Sequence, residues 1–306
     1  MSKNNLPKFT IKQLLEAGVH FGHKSMRRNT KMSKYIYGNR NGISIIDLNK
    51  TASLLYKVLV TVNEVAKNNG RILFVATKKQ ASAVVAEAAK RCGQYYVNYR
   101  WLGGMLTNWK TVSQSIKTLK KIEEQLASPE TDYNKKERLV LERKRLKLEQ
   151  ALGGIKNMGG YPDLVFVIDT FKEDLAIYEA KKLNIPIIAV VDSNSNPDGI
   201  TYPIPGNDDS AKAIKLYCNL VSDSIIAGLR ENMAAAGVDL SAVAEGSLPD
   251  IAKRSSAEVE PKKSHSTKEV RGEKKQTTIS KEENAEEKKS ESKLAKKPAA
   301  KKTTKK

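Results

Sequence analysis

The chain has 306 residues, enough for one large domain or two modest ones, and 40% of them are hydrophobic, which suffices for a buried core. Its 54 Lys and Arg residues exceed its 34 Asp and Glu residues. The resulting net charge of +20 favours a nucleic-acid partner over the main alternative, an anionic membrane surface. The two cysteines form no disulfide framework, and the sequence shows neither a secretory signal nor a bilayer-spanning run, so we expect a soluble cytoplasmic protein.

An acid-free segment from His20 to Arg40 is the strongest functional feature. Its cations are interleaved with Phe21, Tyr35 and Tyr37. Guanidinium groups bind phosphates bidentately and aromatic rings stack on exposed bases, so we predict an RNA-binding loop here. Its predicted RNA-binding residues are His23, Lys24, Arg27, Arg28, Lys31, Lys34, Tyr37 and Arg40. The His20 and His23 pair has the spacing of two metal ligands, but no Cys or third His lies nearby, and simple packing is the preferred interpretation.

Short apolar runs alternate with helical patterns in the rest of the body, residues 1–250. After a long amphipathic helix, runs rich in large and β-branched residues predict strands at 71–77, 95–101, 163–169, 186–192 and, more briefly, 202–204. Helices are predicted at 47–67, 79–92, 172–183 and 209–229. Near-continuous apolar runs are typical of strands buried on both faces. We therefore predict an α/β fold with a parallel sheet between two layers of helices.

A charged helical block at 107–152 interrupts this alternation. Apolar residues recur at spacings of three and four in its first half, and Ser128-Pro129 separates it from a second helix. We predict an antiparallel helical hairpin inserted between the second and third strands. It either covers a face of the domain or projects as a contact element, with cations at Lys117, Lys120, Lys121, Arg143, Lys144, Arg145 and Lys147. Just before it, Arg100 and Lys110 join the predicted RNA-binding residues, whereas Trp101 and Trp109 are expected to be buried.

Acidic residues follow the predicted strands at Asp169, Asp192, Asp198, Asp208 and Asp209. The carboxyl ends of parallel strands line the ligand crevice of a doubly wound sheet, so a sugar-phosphate or nucleotide enzyme would use this place, centred on Asp192 and Asp208. A divalent metal is one possible occupant, but capping and turn roles are the preferred interpretation. The sequence has no GxxxxGK[ST], GxSxG or HExxH motif, and its glycine pairs at 103–104 and 153–154 are better explained as turns. No catalytic, metal or cofactor residue is therefore predicted.

The composition changes near residue 250. Residues 251–306 contain no aromatic residue but 18 Lys and Arg against 9 acids, which predicts a disordered, Lys-rich tail. The tail is either a flexible arm that condenses on RNA, which we favour, or a solubilising extension. The predicted organisation is an N-terminal basic and aromatic segment with the first helix (1–46), an α/β domain (47–106 and 153–230), the hairpin (107–152), a C-terminal extension (231–250) and the tail (251–306).

Three segments resemble the bacterial ribosomal protein S2 family, and they occur in the order found in that family. They are residues 14–51, beginning LLEAGVHFGHK, residues 100–112, RWLGGMLTNWKTV, and residues 161–214, beginning YPDLVFVID. The resemblance implies a flavodoxin-like doubly wound sheet of five parallel strands with an inserted helical hairpin. It also implies a structural, non-enzymatic role between the head and body of the small ribosomal subunit. The implied partners are small-subunit rRNA and neighbouring ribosomal proteins, including protein S1. The departure is local, at Ser25 to Arg28, where the family pattern has a mixture of Thr, Arg and Trp.

Overall fold

The structure, a computed structural model, describes residues 6–128 and 133–235. Most of the predicted C-terminal extension and all of the predicted tail lie outside the described residues. Among the described residues, no helix is both long and apolar enough to cross a membrane.

Five parallel strands form the central sheet, as predicted. Their spatial order is β5-β4-β6-β7-β8, which is 2-1-3-4-5 when these strands are numbered along the chain, the order of flavodoxin-like folds. Every residue of β4, β6 and β7 is buried, because helices cover both faces of the sheet. The strands are β4 (Ile72–Val75), β5 (Tyr95–Val97), β6 (Leu164–Ile168), β7 (Ile187–Val191) and β8 (Tyr202–Pro205).

Alternate residues of each central strand enter opposite layers of the core. In β4, Phe74 faces one apolar cluster, where its ring meets Phe166 edge-on at 5.4 Å, whereas Val75 faces the other cluster. The first layer consists of α2 (Leu48–Lys67), α3 (Lys79–Arg91) and α7 (Ala211–Ala235). The second layer contains α6 (Asp174–Lys182) and the base of the inserted helices.

The inserted hairpin consists of α4 (Trp109–Ala127) and α5 (Lys135–Leu152), which pack against each other between β5 and β6 in the chain. Ile116, Leu119 and Ile122 of α4 are buried, which explains the apolar spacing seen in the sequence. At its base the chain passes very close to the sheet, since a Cβ atom at Gly154 would lie 2.1 Å from the carbonyl oxygen of Tyr96.

A small antiparallel sheet precedes the central sheet. It follows the short helix α1 (Ile11–Glu16) and has the order β1-β3-β2, built from β1 (Phe21–Lys24), β2 (Ile36–Arg40) and β3 (Ile43–Ile46). The prediction of a loop at residues 20–40 was therefore wrong, since this segment contains β1 and β2, which are separated only by two short 3₁₀ turns. Asn41 and Gly42, with φ of 51° and 74°, make the tight turn from β2 to β3. The Asn-Gly dipeptide is a sequence signal for a β-hairpin, and this hairpin was not predicted.

Candidate nucleic-acid interface

Two backbone amides, one in β1 and one between β1 and β2, donate hydrogen bonds to Ser193, just after the carboxyl end of β7. The His23 amide donates to the Ser193 hydroxyl at 2.8 Å, and the Asn29 amide donates to the Ser193 carbonyl at 2.8 Å. Met32 is fully buried in the core beneath this segment. The basic segment is thus held as an ordered surface at both its start and its middle.

The cations of this segment point mainly into solvent. Tyr37 is 83% exposed beside them, and the Lys34 ammonium lies 4.9 Å from the centre of the Tyr35 ring. Within residues 6–128 and 133–235 no ion pair neutralises the exposed cations Lys24, Arg27, Arg28, Lys34 and Arg40. Unpaired cations held on one rigid surface attract phosphates without first having to break an internal ion pair.

Two of the predicted residues have different surroundings. Lys31 is exposed but forms an ion pair with Asp198. His23 faces inward, with a side chain only 19% exposed, and contacts carboxylates of the strand-end loops. A phosphate could bind Lys31 only by competing with Asp198. It could approach His23 only past the carboxylates that contact this imidazole.

A second exposed pair of cations, Arg100 and Lys110, flanks a loop that the buried Glu179 holds in place. The Glu179 carboxylate accepts hydrogen bonds from the Trp101 indole at 3.1 Å and from backbone amides of the loop at 2.8 to 3.0 Å. Burial raises the pKa of Glu179, but these donors outweigh burial and hold the pKa below its ordinary value. The loop therefore keeps a fixed shape through one ionised side chain.

Both basic regions rest on the same core. Met32 of the first region and Trp101, Met105 and Leu106 of the second belong to one apolar cluster. Trp101 is 7% exposed, which confirms its expected burial, whereas Trp109 is only half-buried, against Tyr161. The two cationic regions are consequently anchored to the same apolar cluster of the core.

Four of the five strand-end acids converge beneath β1, around Lys78. The Lys78 ammonium lies 3.2 Å from Asp169, 3.0 Å from Asp208 and 2.6 Å from Asp209. Asp192 meets the Nδ1 atom of His23 at 2.9 Å, while Asp209 lies 3.3 Å from the Nε2 atom. We call Lys78, His23 and these four aspartates the acidic cluster.

Of the expected capping and turn roles, the turn role holds for Asp169. The Asp169 carboxylate accepts hydrogen bonds at 3.1 Å from the amides of Phe171 and Lys172 in the turn before α6. At the start of α7, by contrast, the hydroxyl of Ser210 and not the carboxylate of Asp209 accepts from the Ala213 amide. The Asp209 carboxylate instead contacts Lys78 and His23 within the acidic cluster.

Crowding of carboxylates shifts the protonation of the acidic cluster. Burial, with the nearby charges of Asp169 and Asp192, raises the pKa of Asp208 from 3.8 to about 7. A hydrogen bond to Asp192 raises the pKa of His23 above 6.5. Burial lowers the pKa of Lys78, but its carboxylate partners outweigh burial and raise that pKa overall. The cluster therefore exchanges protons near neutral pH.

Three members of the acidic cluster have the spacing of metal ligands. One donor atom each from His23, Asp192 and Asp209 lies within 4.8 Å of the other two. An imidazole and two carboxylates form a donor set suited to a divalent transition metal such as zinc. This grouping could not be predicted from the sequence, because Asp192 is 169 residues away from His23. The sequence showed two acids at the ends of predicted strands, but nothing in it indicated that they would lie next to a histidine.

The fold and surface together define a class, an α/β protein whose antiparallel N-terminal sheet presents unpaired cations. The family model described as Ribosomal protein S2 matches residues 14–228. A protein named small ribosomal subunit protein uS2 from Rhodospirillum centenum is 58% identical over 241 residues, covering 78% of this chain and 92% of the relative. Another of that name from Parvibaculum lavamentivorans is 59% identical over 240 residues, covering 78% and 95%. One from Phenylobacterium zucineum is 60% identical over 248 residues, covering 81% and 84%. The chain belongs to the ribosomal protein S2 family.

Proposed function

We propose that this protein is a structural constituent of the small ribosomal subunit that binds small-subunit rRNA through the two basic regions. The observation that carries the proposal is the set of exposed cations with no ion pair among the described residues, in two regions anchored to the same apolar cluster. We call this set the basic surface, and it comprises Lys24, Arg27, Arg28, Lys34, Arg40, Arg100 and Lys110.

The basic surface suits recognition by shape and charge. Arginine forks and lysine ammonium groups contact the phosphate backbone, which positions a protein without reading sequence. Tyr37, 83% exposed next to these cations, can stack on an unpaired base. The central sheet supplies rigidity, so little conformational entropy is lost when rRNA binds.

Neighbouring ribosomal proteins are further proposed partners. Docking of protein S1 is supported by the family resemblance, as is a position between the head and the body of the subunit. The names of the relatives are those of ribosomal proteins and not of enzymes, which weighs against a sugar-phosphate or nucleotide enzyme built on Asp192 and Asp208.

Charge reversal on the basic surface tests rRNA binding. We expect Arg27→Glu with Arg28→Glu to weaken rRNA binding and to reduce the salt slope by about 0.7 to 0.9 for each phosphate that the variant no longer neutralises. Both side chains are exposed, so the fold should be unchanged. The readouts are rRNA binding at several salt concentrations and sucrose-gradient co-migration of the tagged chain with the small subunit.

The matched control is Lys57→Glu with Lys215→Glu, which makes the same change in net charge at exposed positions on α2 and α7. The control should co-migrate as the wild-type chain does. Normal rRNA binding by the Arg27 and Arg28 variant would remove these residues from the interface. A wild-type chain found only at the top of the gradient would contradict the ribosomal proposal as a whole.

A further inference from the structure

Helix α5 has apolar side chains on two opposite faces. Leu141, Leu148 and Leu152 recur at i, i+7 and i+11 on the face towards the core, where Leu152 is buried and Leu148 packs against the apolar cluster. Leu139 lies two positions before Leu141, which places it about 200° further round the helix axis. Leu146 shares the face of Leu139, because seven residues make almost two full turns.

The outward face has a distinct composition. Leu139 and Leu146 are each 47% exposed, and Val140 between them is 57% exposed. Lys136, Arg143 and Lys147 fall on the same side by helical spacing and are also exposed. Glu142 borders this side, three positions after Leu139 and four before Leu146, so the three cations outnumber the neighbouring acid. No ion pair within the described ranges engages these cations. We call these six residues the outer stripe; it runs about 17 Å along the helix.

Helix α4 packs against α5 but leaves Leu139, Val140 and Leu146 exposed, so this second apolar face is available to another partner. RNA would satisfy the three cations of the outer stripe but gains little from branched aliphatic side chains. A second copy of this chain would set Arg143 against like charges. The acidic stretch of the chain itself, residues 282–291, has five glutamates but no large apolar residue. Each of these three candidate partners is complementary either to the cations or to the apolar side chains of the outer stripe, but not to both.

We propose that the outer stripe docks an acidic amphipathic helix of a neighbouring protein in the small subunit. The inference rests on the proposed ribosomal function and adds a protein-binding surface to it. Leu139, Val140 and Leu146 pack against the apolar face of the partner helix, as in helix-in-groove recognition. Acids beside that face pair with Lys136, Arg143 and Lys147, which fixes the register and speeds encounter.

Photocrosslinking in assembled subunits tests this docking. The full-length chain carries p-benzoylphenylalanine at Val140, and in a matched control at Arg138, an exposed position about a quarter of a turn away from Leu139 and Leu146. Small subunits are isolated on gradients, irradiated and digested. We expect a Val140 adduct that resists ribonuclease and disappears with protease, and several-fold less adduct at Arg138. The attached peptide should be net acidic, with aliphatic residues at helical spacing.

Leucine substitution in the same chain supplies the second measurement. Leu139→Ser with Leu146→Ser should lower the Val140 adduct at least fivefold, while Ile11→Ser with Leu15→Ser, at similarly exposed positions on α1, should leave it unchanged. An adduct to RNA alone, a basic peptide, or no adduct in a chain that co-migrates with the subunit would overturn the docking inference only. Failure of the unaltered chain to co-migrate would instead count against the proposed function.

Discussion

At the scale of single residues, the acidic cluster shows how burial and charge oppose each other. Asp208 is 1% exposed and faces two further carboxylates, Asp169 and Asp192, with Lys78 as its compensating cation. One lysine does not offset this crowding, so the carboxyl of Asp208 holds its proton to about pH 7. The cluster thereby makes the stability of the fold depend on pH.

The sign of this dependence follows from linkage. Between the ordinary value of 3.8 and the folded value of about 7, folded Asp208 holds a proton that the unfolded chain releases. Stability that is present below this window is therefore lost as pH rises through it. We expect Asp208→Asn, which keeps an acceptor for Lys78, to raise the melting temperature more near pH 8 than near pH 5, as measured by thermal denaturation.

Asp198→Asn is the control for that experiment, because it removes a carboxylate from an exposed ion pair outside the cluster. It should shift the melting temperature similarly at both pH values. An Asp208 variant whose curve runs parallel to the wild-type curve across the window would show that this carboxyl titrates normally.

A single carboxylate also shapes the second basic region. We expect Glu179→Gln to lose hydrogen bonds to the loop amides, at a cost of about 1.5 to 3 kcal/mol, since an amide nitrogen replaces one acceptor oxygen. Amide hydrogen exchange should accelerate at Gly104, Leu106 and Thr107, which donate their amides to Glu179. The exposed Glu87→Gln is the control and should leave these amides protected. Unchanged exchange in the Glu179 variant would mean that the loop is held by its apolar contacts alone.

The sequence predicted the exposure of some interface residues but not the surroundings of others. Exposure of Arg27, Arg28 and Tyr37 followed from the pattern, because a run of cations without acids cannot be buried. The inward turn of His23 did not follow, since its partner Asp192 is 169 residues away and its acceptor Ser193 is one residue further. The role of each predicted residue in RNA binding remains a prediction.

At the scale of elements, the parallel strands could be predicted from the sequence because the three central ones, β4, β6 and β7, are short apolar runs buried on both faces. The antiparallel strands were not, because β2 reads Ile-Tyr-Gly-Asn-Arg, with only half-buried and exposed residues, and its pairing with β3 shifts register between Ile36 and Gly38. Such strands depend on their neighbours more than on propensity. The Asn41-Gly42 turn was the local cue that would have revealed them.

The junction between the hairpin and the sheet depends on Gly154. A side chain there would meet the Tyr96 carbonyl at 2.1 Å, so Gly154→Ala must displace either the end of α5 or β5. We expect a loss of about 3 kcal/mol, the upper end of overpacking costs, seen as a drop of about 6 to 12 °C in melting temperature. Gly103→Ala, whose Cβ would lie 3.7 Å from Leu175, should cost much less. Equal melting temperatures for the two variants would refute the close-approach explanation.

At the scale of the whole molecule, charge is divided between the body and the tail. Residues 251–306 carry 18 Lys and Arg against 9 acids, so nearly half of the net charge of +20 lies in the predicted tail. A flexible arm of this kind adds phosphate contacts that salt suppresses strongly. The alternative, a solubilising tail, adds none.

Truncation after residue 250 separates these two roles. If the tail is an arm, the shortened chain binds rRNA more weakly at low salt and with a smaller salt slope, and the difference shrinks as salt rises. Filter binding over a salt series measures both quantities. Identical slopes for the full and truncated chains, with poorer solubility of the latter, would assign the tail the solubilising role.

The anchoring of the small sheet has a consequence for synthesis of the chain. The basic segment leaves the synthesising ribosome first, yet Ser193, to which its His23 amide donates, follows 170 residues later. At typical elongation rates of about 5 to 20 residues per second, the segment waits on the order of 10 to 30 s before its anchor exists. During that interval its cations are exposed to every polyanion in reach while their final geometry is not yet fixed. Newly made chains are therefore most prone to indiscriminate RNA capture before their last two strands are complete.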